Sequence, residues 1–437
     1  MMKCRKPMIR RNCLWRRALL RLVSIAGLAV ATGCAAPLNQ WKGNLHTHSV
    51  WSDGTDYPEM VVDWYHGRGY DFLALTEHDM LQEGDRWLDI IADDPGWPPR
   101  NQSARLALPG YLERFGAAWV QQHNDGARHL VRLRPLAEYR HLFEQPGRFL
   151  LLTGEEITDR EGAHVNAFNL NSAILPRGGT TGGERIRNNL GAVAEQRAAT
   201  GRDIVAIVNH PNYVWALTAE ELASIPDVRL FEVFNGHALV NNDGDEEHAS
   251  TERMWDIALS LRHEAGLPPF FAVATDDAHD YRDYSAVVSR PGRGWVMVRA
   301  SQLASDALAA ALRAGDFYAS TGVTIRREHR DRHSMRIEIE PGEGAAYRTY
   351  FIGTRTGTPL ASRPVIDAAG DTVRTTRMYD DGVGQIFAEV DGTNAVYVFR
   401  GDERYVRARV VSSLPHIDPT TGDTLGVQTA WLQPVFR

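Results

Sequence analysis

The sequence predicts an α/β fold, a parallel sheet closed into a barrel and followed by a smaller, sandwich-like β unit. Three observations carry this. From residue 43 to about 320, short apolar runs alternate with stretches of helical spacing, the pattern of repeated strand–helix units. The apolar runs are nearly unbroken, as in strands covered by helices on both faces. After Gly322 the helical spacing stops, and strand-like runs separated by Gly, Asp and Pro turns replace it. A length of 437 residues suits one large domain plus a smaller one.

Taken in order, the expected barrel strands are Gly43–His48, Phe72–Thr76, Phe149–Thr153, Val165–Leu170, Ile204–Asn209, Leu230–Phe234 and Phe271–Ala274. Between them Glu59–Arg68, Glu184–Ala199, Glu246–Glu264 and Gln302–Arg313 carry helical spacing. The segment 80–148, rich in Trp, Pro, Arg and His, is an insertion longer than an ordinary loop. It reads either as a lid over a site or as an outwork. In the C-terminal unit, 334–437, the expected strands are Met335–Glu340, Tyr347–Ile352, Gly384–Val390, Ala395–Phe399 and Val406–Val411. The highly charged Arg326–His333 is the expected linker.

The N-terminus has its own pattern. Eight basic residues (Lys3, Arg5, Lys6, Arg10, Arg11, Arg16, Arg17 and Arg21) precede any acid, and the apolar run Leu22–Ala31 and Thr32-Gly33-Cys34 follow. This reads as a secretion signal over 1–33, ending in what looks like a bacterial lipobox, with Cys34 as the lipidated residue and 34–42 as a tether. Arg16-Arg17 resembles the twin-arginine export signal. The expected place is therefore the bacterial periplasm or cell envelope, on a lipid anchor. Cleavage leaves 40 basic residues against 55 acids, a net charge near −15, which argues against nucleic acid as a partner. The three cysteines, Cys4, Cys13 and Cys34, all fall in this segment. The body of the chain then has neither disulfide nor thiolate, and any metal must be held by nitrogen and oxygen.

The chemistry lies where strands end. His46-Thr47-His48 and Ser52-Asp53-Gly54 follow the first strand, Thr76-Glu77-His78-Asp79 the second, and Gly154-Glu155-Glu156-Ile157 the third. His164 precedes the fourth, Asn209-His210-Pro211 ends the fifth, and Asp276-Asp277-Ala278-His279 ends the last. Alternate residues of a strand share a face, so His46 and His48 can address one ion. In a barrel of parallel strands, these C-terminal ends converge on one face. Nine imidazoles and carboxylates gathered there (His46, His48, Asp53, His78, Glu156, His164, His210, Asp277 and His279) need compensating cations.

The order of these motifs resembles the polymerase-and-histidinol-phosphatase (PHP) family over residues 43 to about 320. Asn44-Leu45-His46-Thr47-His48, Gly69-Tyr70-Asp71-Phe72-Leu73 and Phe317-Tyr318-Ala319-Ser320-Thr321-Gly322 are similar to its carbaryl-hydrolase-like branch. The resemblance implies a distorted (β/α)7 PHP barrel with two to three divalent ions, Zn, Mn or Fe. It implies a first ion on His46, His48, Glu156 and Asp277, with Glu156 bridging to a second on His164 and His210. Asp53, His78 and His279 would hold a third. Asp53 stands where some relatives have His, and Glu77 where Asp is common. Of Glu155 and Glu156, the family pattern favours the second as ligand.

Paired ions can share and activate a water, which suits phosphate-ester hydrolysis, with Asp53, His78, Glu156 and His210 as catalytic residues. Hydrolysis of a carbamate or carboxylic ester of a small molecule is the second expectation. A non-catalytic surface binding lipoprotein is the third. Asp79 and Asp280 either orient imidazoles or are solvated loop acids, and Tyr213 and His237 are candidate substrate contacts.

Overall fold

A computed structural model describes residues 38–93, 100–282 and 289–437. The expected signal segment and the lipidation at Cys34 lie outside these residues. Asn39–Asn44 (β1), Pro58–His66 (α1) and Phe72–His78 (β2) make the first strand–helix–strand unit. Pro58 opens α1, where its missing N–H costs nothing, with Glu59 beside it in the first turn. The insertion follows: Arg86–Asp89 (β3), Arg100–Phe115 (α2), Gln122–Asn124 (β4), His129–Leu133 (β5) and Leu136–Phe143 (α3).

Leu150–Thr158 (β6), His164–Phe168 (β7), Gly182–Thr200 (α4), Val205–Val208 (β8), Ala219–Ser224 (α5), Leu230–Asn235 (β9), Thr251–Glu264 (α6) and Phe271–Thr275 (β10) come next. Trp295–Ala300 (β11), Ser305–Ala314 (α7) and Phe317–Ser320 (β12) complete this region. The last strands are Ile325–Arg330 (β13), Ser334–Ile339 (β14), Tyr347–Arg355 (β15), Gln385–Asp391 (β16), Asn394–Val398 (β17), Glu403–Ile417 (β18) and Thr424–Phe436 (β19). None of the helices among the described residues is long and apolar enough to cross a membrane.

One mixed sheet runs through the molecule in the order β10-β9-β8-β7-β6-β2-β1-β11-β12-β19-β18-β15-β16. β1, β2 and β6 are parallel, as are β8, β9 and β10. β7 runs antiparallel to both β6 and β8, against the all-parallel expectation. The reason is the connection: only Asp159–Ala163 separates β6 from β7. A crossover to a parallel neighbour needs a dozen residues or more, whereas a short link makes a hairpin. Past the ends of β1 and β10, the two following segments meet. Thr47 bridges Ala278 in parallel, and His48 N–H donates to Ala278 O at 2.9 Å.

The strands carry two apolar faces. Leu45, Phe72, Ala74, Leu152, Ile207, Leu230 and Val273 form one buried cluster. Val165, Val208, Phe231, Val233 and Ala272 form another with α4, α5 and α6. The insertion is a three-stranded sheet, β3-β5-β4, whose core takes in Val50, Trp51 and Tyr57. Tyr57 and Tyr111 stack at 4.2 Å. The insertion therefore buttresses the loop between β1 and α1.

Two expectations need correction. Arg326–His333 is not a linker: Ile325–Arg330 pairs with β14, and its Glu328 is buried against Arg299 and Arg330. β1 also begins at Asn39, inside the expected tether, because Asn39–Gly43 pairs with β11. The C-terminal strands continue the main sheet through the pairing of β12 with β19. A second sheet, β13-β14-β17, shares the cluster of Ile325, Ile337, Tyr397, Phe351, Val410 and Leu432 with them. Arg407 of β18 joins this part to α6 through Asp256 at 2.7 Å and Glu252 at 2.9 Å.

Candidate metal centre

The strand ends place all nine expected donors together. Four overlapping groups form: His46 with His48 and Glu156; His46 with His210 and Asp277; Glu156 with His164 and His210; and His48 with Asp53, His78 and His279. In each, the donor atoms lie within 4.8 Å of one another. The Thr47–Ala278 bridge is what sets His46-Thr47-His48 beside Asp277-Ala278-His279. Asp277 and Asp79 both adopt left-handed backbone conformations, φ 49° and 53°. Such strain is retained where the surroundings over-determine it, commonly at functional sites.

Glu156 is the hub. Its Oε2 lies 3.4 Å from Nε2 of both His46 and His48 and 2.9 Å from His78 Nδ1. Its Oε1 lies 3.0 Å from His164 Nδ1 and 3.3 Å from His210 Nε2, and it accepts from Asn209 Nδ2 at 2.8 Å. Asp277 Oδ1 is 3.2 Å and 3.4 Å from the same two ring nitrogens of His46 and His48. Asp53 reaches His78 Nε2 and His279 Nε2, each at 3.3 Å. Glu155, on the opposite face of β6, instead accepts from Ile174 N–H at 2.7 Å. Burial pushes its carboxyl up to about 8.

The loop bearing Asp53 is held from below. Glu77 accepts from Ser49 N–H and Ser52 N–H, each at 3.1 Å, and from Gln82 Nε2 at 2.7 Å. Gly54 passes so close to His48 that a Cβ there would stand 2.7 Å from the His48 main chain. Asp79 Oδ1 accepts from Thr158 N–H at 2.8 Å, and Thr158 Oγ1 lies 2.5 Å from His78 Nδ1, so Asp79 acts on the imidazole through Thr158. Asp280 Oδ1 accepts from Thr55 Oγ1 at 3.3 Å and from Arg282 N–H at 3.2 Å. Asp276 faces away, taking the N–H groups of Gly292, Arg293 and Gly294.

Sequence reasoning missed Glu232. Its Oε1 sits 2.8 Å from His46 Nδ1, and its Oε2 accepts from His210 N–H at 2.7 Å. The available signal was a lone acid inside the apolar run Leu230–Phe234. Asn235, bonded to both Glu232 and Asp277, was missed too.

The electrostatics call for cations. Burial penalises every charge here, yet Asp277, Glu156 and Glu232 hold the His46 ring well above the ordinary imidazole range. Burial likewise disfavours the Glu156 carboxylate, but His46, His78 and His164 keep it far below its usual range. Asp277 is depressed in the same way, chiefly by His46. The same carboxylates hold His46, His78, His210 and His279 above the ordinary imidazole range, so these four rings carry compensating positive charge, a role divalent ions fill equally. His46 Nε2 and His48 Nε2 are buried and make no hydrogen bond of good geometry. Nitrogen and oxygen donors without thiolate fit Zn, Mn or Fe.

The cluster opens into a cavity of ≈ 380 Å³, lined among others by Asp53, His78, Glu156, His164, His210 and His279. Tyr213 and His237 line it as well, together with Leu239. None of the described lining residues belongs to the 80–148 insertion.

No protein-family model matches the chain. None of the curated proteins matches it. Among solved structures, it is similar to a two-domain protein from Bacteroides vulgatus described as containing a predicted PHP-like metal-dependent phosphoesterase. That likeness has 16% identity and a TM-score of 0.36 and covers 91% of this chain and 95% of that one. It is also similar to a candidate metal-dependent phosphoesterase from Bifidobacterium adolescentis, at 14% identity and a TM-score of 0.25, over 57% of this chain and 92% of that one. Neither likeness bears on the chemistry, which rests on the donor geometry.

Proposed function

We propose that the chain is a metal-dependent phosphoesterase of the PHP family, hydrolysing a small-molecule ester at a centre of two to three divalent ions. The observation that carries this reading is the position of Glu156, with one oxygen toward His46 and His48 and the other toward His164 and His210. His46, His48, Glu156 and Asp277 would hold a first ion, Glu156, His164 and His210 a second, and Asp53, His78 and His279 a third. Bound there, the ions would lower the pKa of a water toward neutrality and offset charge on the phosphoryl oxygens. Glu156 fixes the spacing of the two donor groups. Thr158 Oγ1 and the Asp277 carbonyl, at Nδ1 of His78 and His279, orient the rings that would share the third ion with Asp53, and Glu232 sets the tautomer of His46.

β1, β2, β6, β7, β8, β9 and β10, rejoined by the Thr47–Ala278 bridge, support a distorted (β/α)7 barrel. The shared cluster between the two C-terminal sheets supports a sandwich over 334–437. The basic and apolar N-terminus ending at Cys34 supports export and a lipid anchor in the cell envelope.

A second reading, hydrolysis of a carbamate or carboxylic ester, is favoured by the absence of Lys and Arg from the described cavity lining. The test is to measure metal content and to screen aryl phosphates, acetates and carbamates that share one leaving group. Two to three equivalents of metal and phosphate-ester turnover are expected. Turnover of the acetate or carbamate alone transfers the function to the second reading.

A further inference from the structure

Beside the metal-binding donors, the cavity has a wall of a different character. The Tyr213 ring stands 5.2 Å from that of His210 and 6.2 Å from that of His237, which lies 5.5 Å from His279. Two loops form this wall and are tied to each other by the Tyr213–Val240 bridge. Leu239, whose N–H donates to His237 Nδ1 at 3.1 Å, is 50% exposed at the mouth.

The first of these loops is held in a costly shape. Val214 and Trp215 have φ values of 45° and 55°, a region that β-branched and bulky side chains avoid. Gly162 makes room for it, since a Cβ there would come within 2.9 Å of Val214 Cγ2 and 3.0 Å of Tyr213 O. Trp215 is pinned by stacking on His248 at 3.8 Å and 7°. Strain maintained by surrounding contacts is characteristic of ligand clamps.

The wall is also selective in charge. Besides the donors, the described lining offers the hydroxyls of Thr55, Thr158 and Ser289 and the carboxylate of Asp280, but neither Lys nor Arg. A carboxylate or second phosphate on the departing half of a substrate would lose water and find neither Lys nor Arg among the described residues of this wall. An uncharged ring would meet the rings of Tyr213 and His237 and the Leu239 side chain.

We propose that the ester cleaved here carries an uncharged aromatic leaving group seated on Tyr213, His237 and Leu239, with Tyr213 and Leu239 determining that preference. This rests on the phosphoesterase reading. Water supplies the oxygen that bonds to phosphorus. The phosphorus–oxygen bond to the ring breaks with its electron pair on the aryl oxygen, and a proton from the water makes the phenol, with no change in oxidation state.

The test uses the mature chain loaded with Zn or Mn and two phosphate monoesters on one ring, meta-carboxyphenyl phosphate and its uncharged counterpart, meta-carbamoylphenyl phosphate. kcat/KM is expected to favour the carbamoyl ester by about tenfold or more. Leu239→Lys should shrink that ratio about tenfold, mainly by gain on the carboxylate. Equal kcat/KM for the two esters, or a ratio that Leu239→Lys leaves unmoved, overturns the proposal. If no phosphate ester turns over, the reaction class is wrong, and binding of the products decides selectivity separately. Binding of meta-hydroxybenzamide but not meta-hydroxybenzoate, seen by ligand NMR and weakened by Tyr213→Ser, upholds it. Binding of both equally, or of neither, sinks it.

Discussion

His46 Nδ1 lies 2.8 Å from Glu232 Oε1, with both side chains fully shut off from solvent. That contact fixes which ring nitrogen of His46 faces Glu156 and Asp277. A carboxylate behind a ligating imidazole orients it and raises its basicity. Glu232→Gln keeps the shape of the side chain and weakens that effect. Metal affinity or turnover should fall by about 10–100-fold, with an unchanged circular dichroism spectrum. Wild-type metal content and rate in this variant would remove Glu232 from the centre.

Glu232 also illustrates what the sequence conceals. Most of the nine donors are legible because they sit at the ends of apolar runs, and strand ends in such folds converge, whereas His164 precedes its run and Asp53 lies in the loop after His48. Glu232 sits inside a run, where one acid among Leu230, Phe231, Val233 and Phe234 carries no positional signal. The direction of β7 was hidden for another reason: an apolar strand reads the same parallel or antiparallel, and only the short Asp159–Ala163 link distinguishes them. β13 passed for a linker because Arg326, Arg327 and Arg330 advertise solvent, while the burial of Glu328 depends on Arg299, contributed by β11. The partner of β1, Trp295–Ala300, is some 250 residues away, beyond any local pattern.

Glu155 gives a pH dependence. Its folded pKa is raised from the usual 4.5 to about 8, first by burial and then by Asp79. The folded state therefore holds a proton that the unfolded chain releases. Stability should fall as pH rises from about 4.5 to about 8, by on the order of 2–4 kcal/mol for this group, and level off above. Glu155→Gln keeps the acceptor for Ile174 N–H and removes the titration. Urea midpoints across that range should decline less in the variant; parallel curves would refute the assignment.

The Arg407–Asp256 pair, 2.7 Å apart and almost solvent-free, links β18 to α6. Asp256→Ala leaves the guanidinium with Glu252 alone. The cost should be about 3–5 kcal/mol, read from chemical denaturation, with the metal content of the folded fraction intact. A loss below 1 kcal/mol would mean the pair contributes little to the junction.

Cys34→Ala tests the anchor. The mature-length protein should move from the membrane to the soluble fraction, or its processing should stall. An unaltered distribution excludes lipidation at this residue. Replacing Arg16 and Arg17 by Lys should separately block export if the twin-arginine route is used.

The reaction class is decided at the Asp53 group. Asp53 reaches Nε2 of both His78 and His279, each at 3.3 Å, and its carboxyl side chain is 37% exposed at the mouth of the cavity. An ion held there would supply positive charge to the reacting group, and that charge would matter most when the reacting centre carries several oxygens, as phosphorus does. Attack on an ester or carbamate carbonyl needs only the activated water and one Lewis acid, which the Glu156 groups can supply. Asp53→Ala and His78→Ala should therefore cut aryl phosphate turnover by about 10²–10³, the usual effect of removing one charge-stabilising group. Turnover of the aryl acetate with the same leaving group should fall much less. The comparison is valid once circular dichroism shows native spectra and elemental analysis shows that the metal at the Glu156 groups is retained. Equal losses on both substrates would place the Asp53 group in the common step of water activation and remove the argument for a phosphoryl-specific third ion.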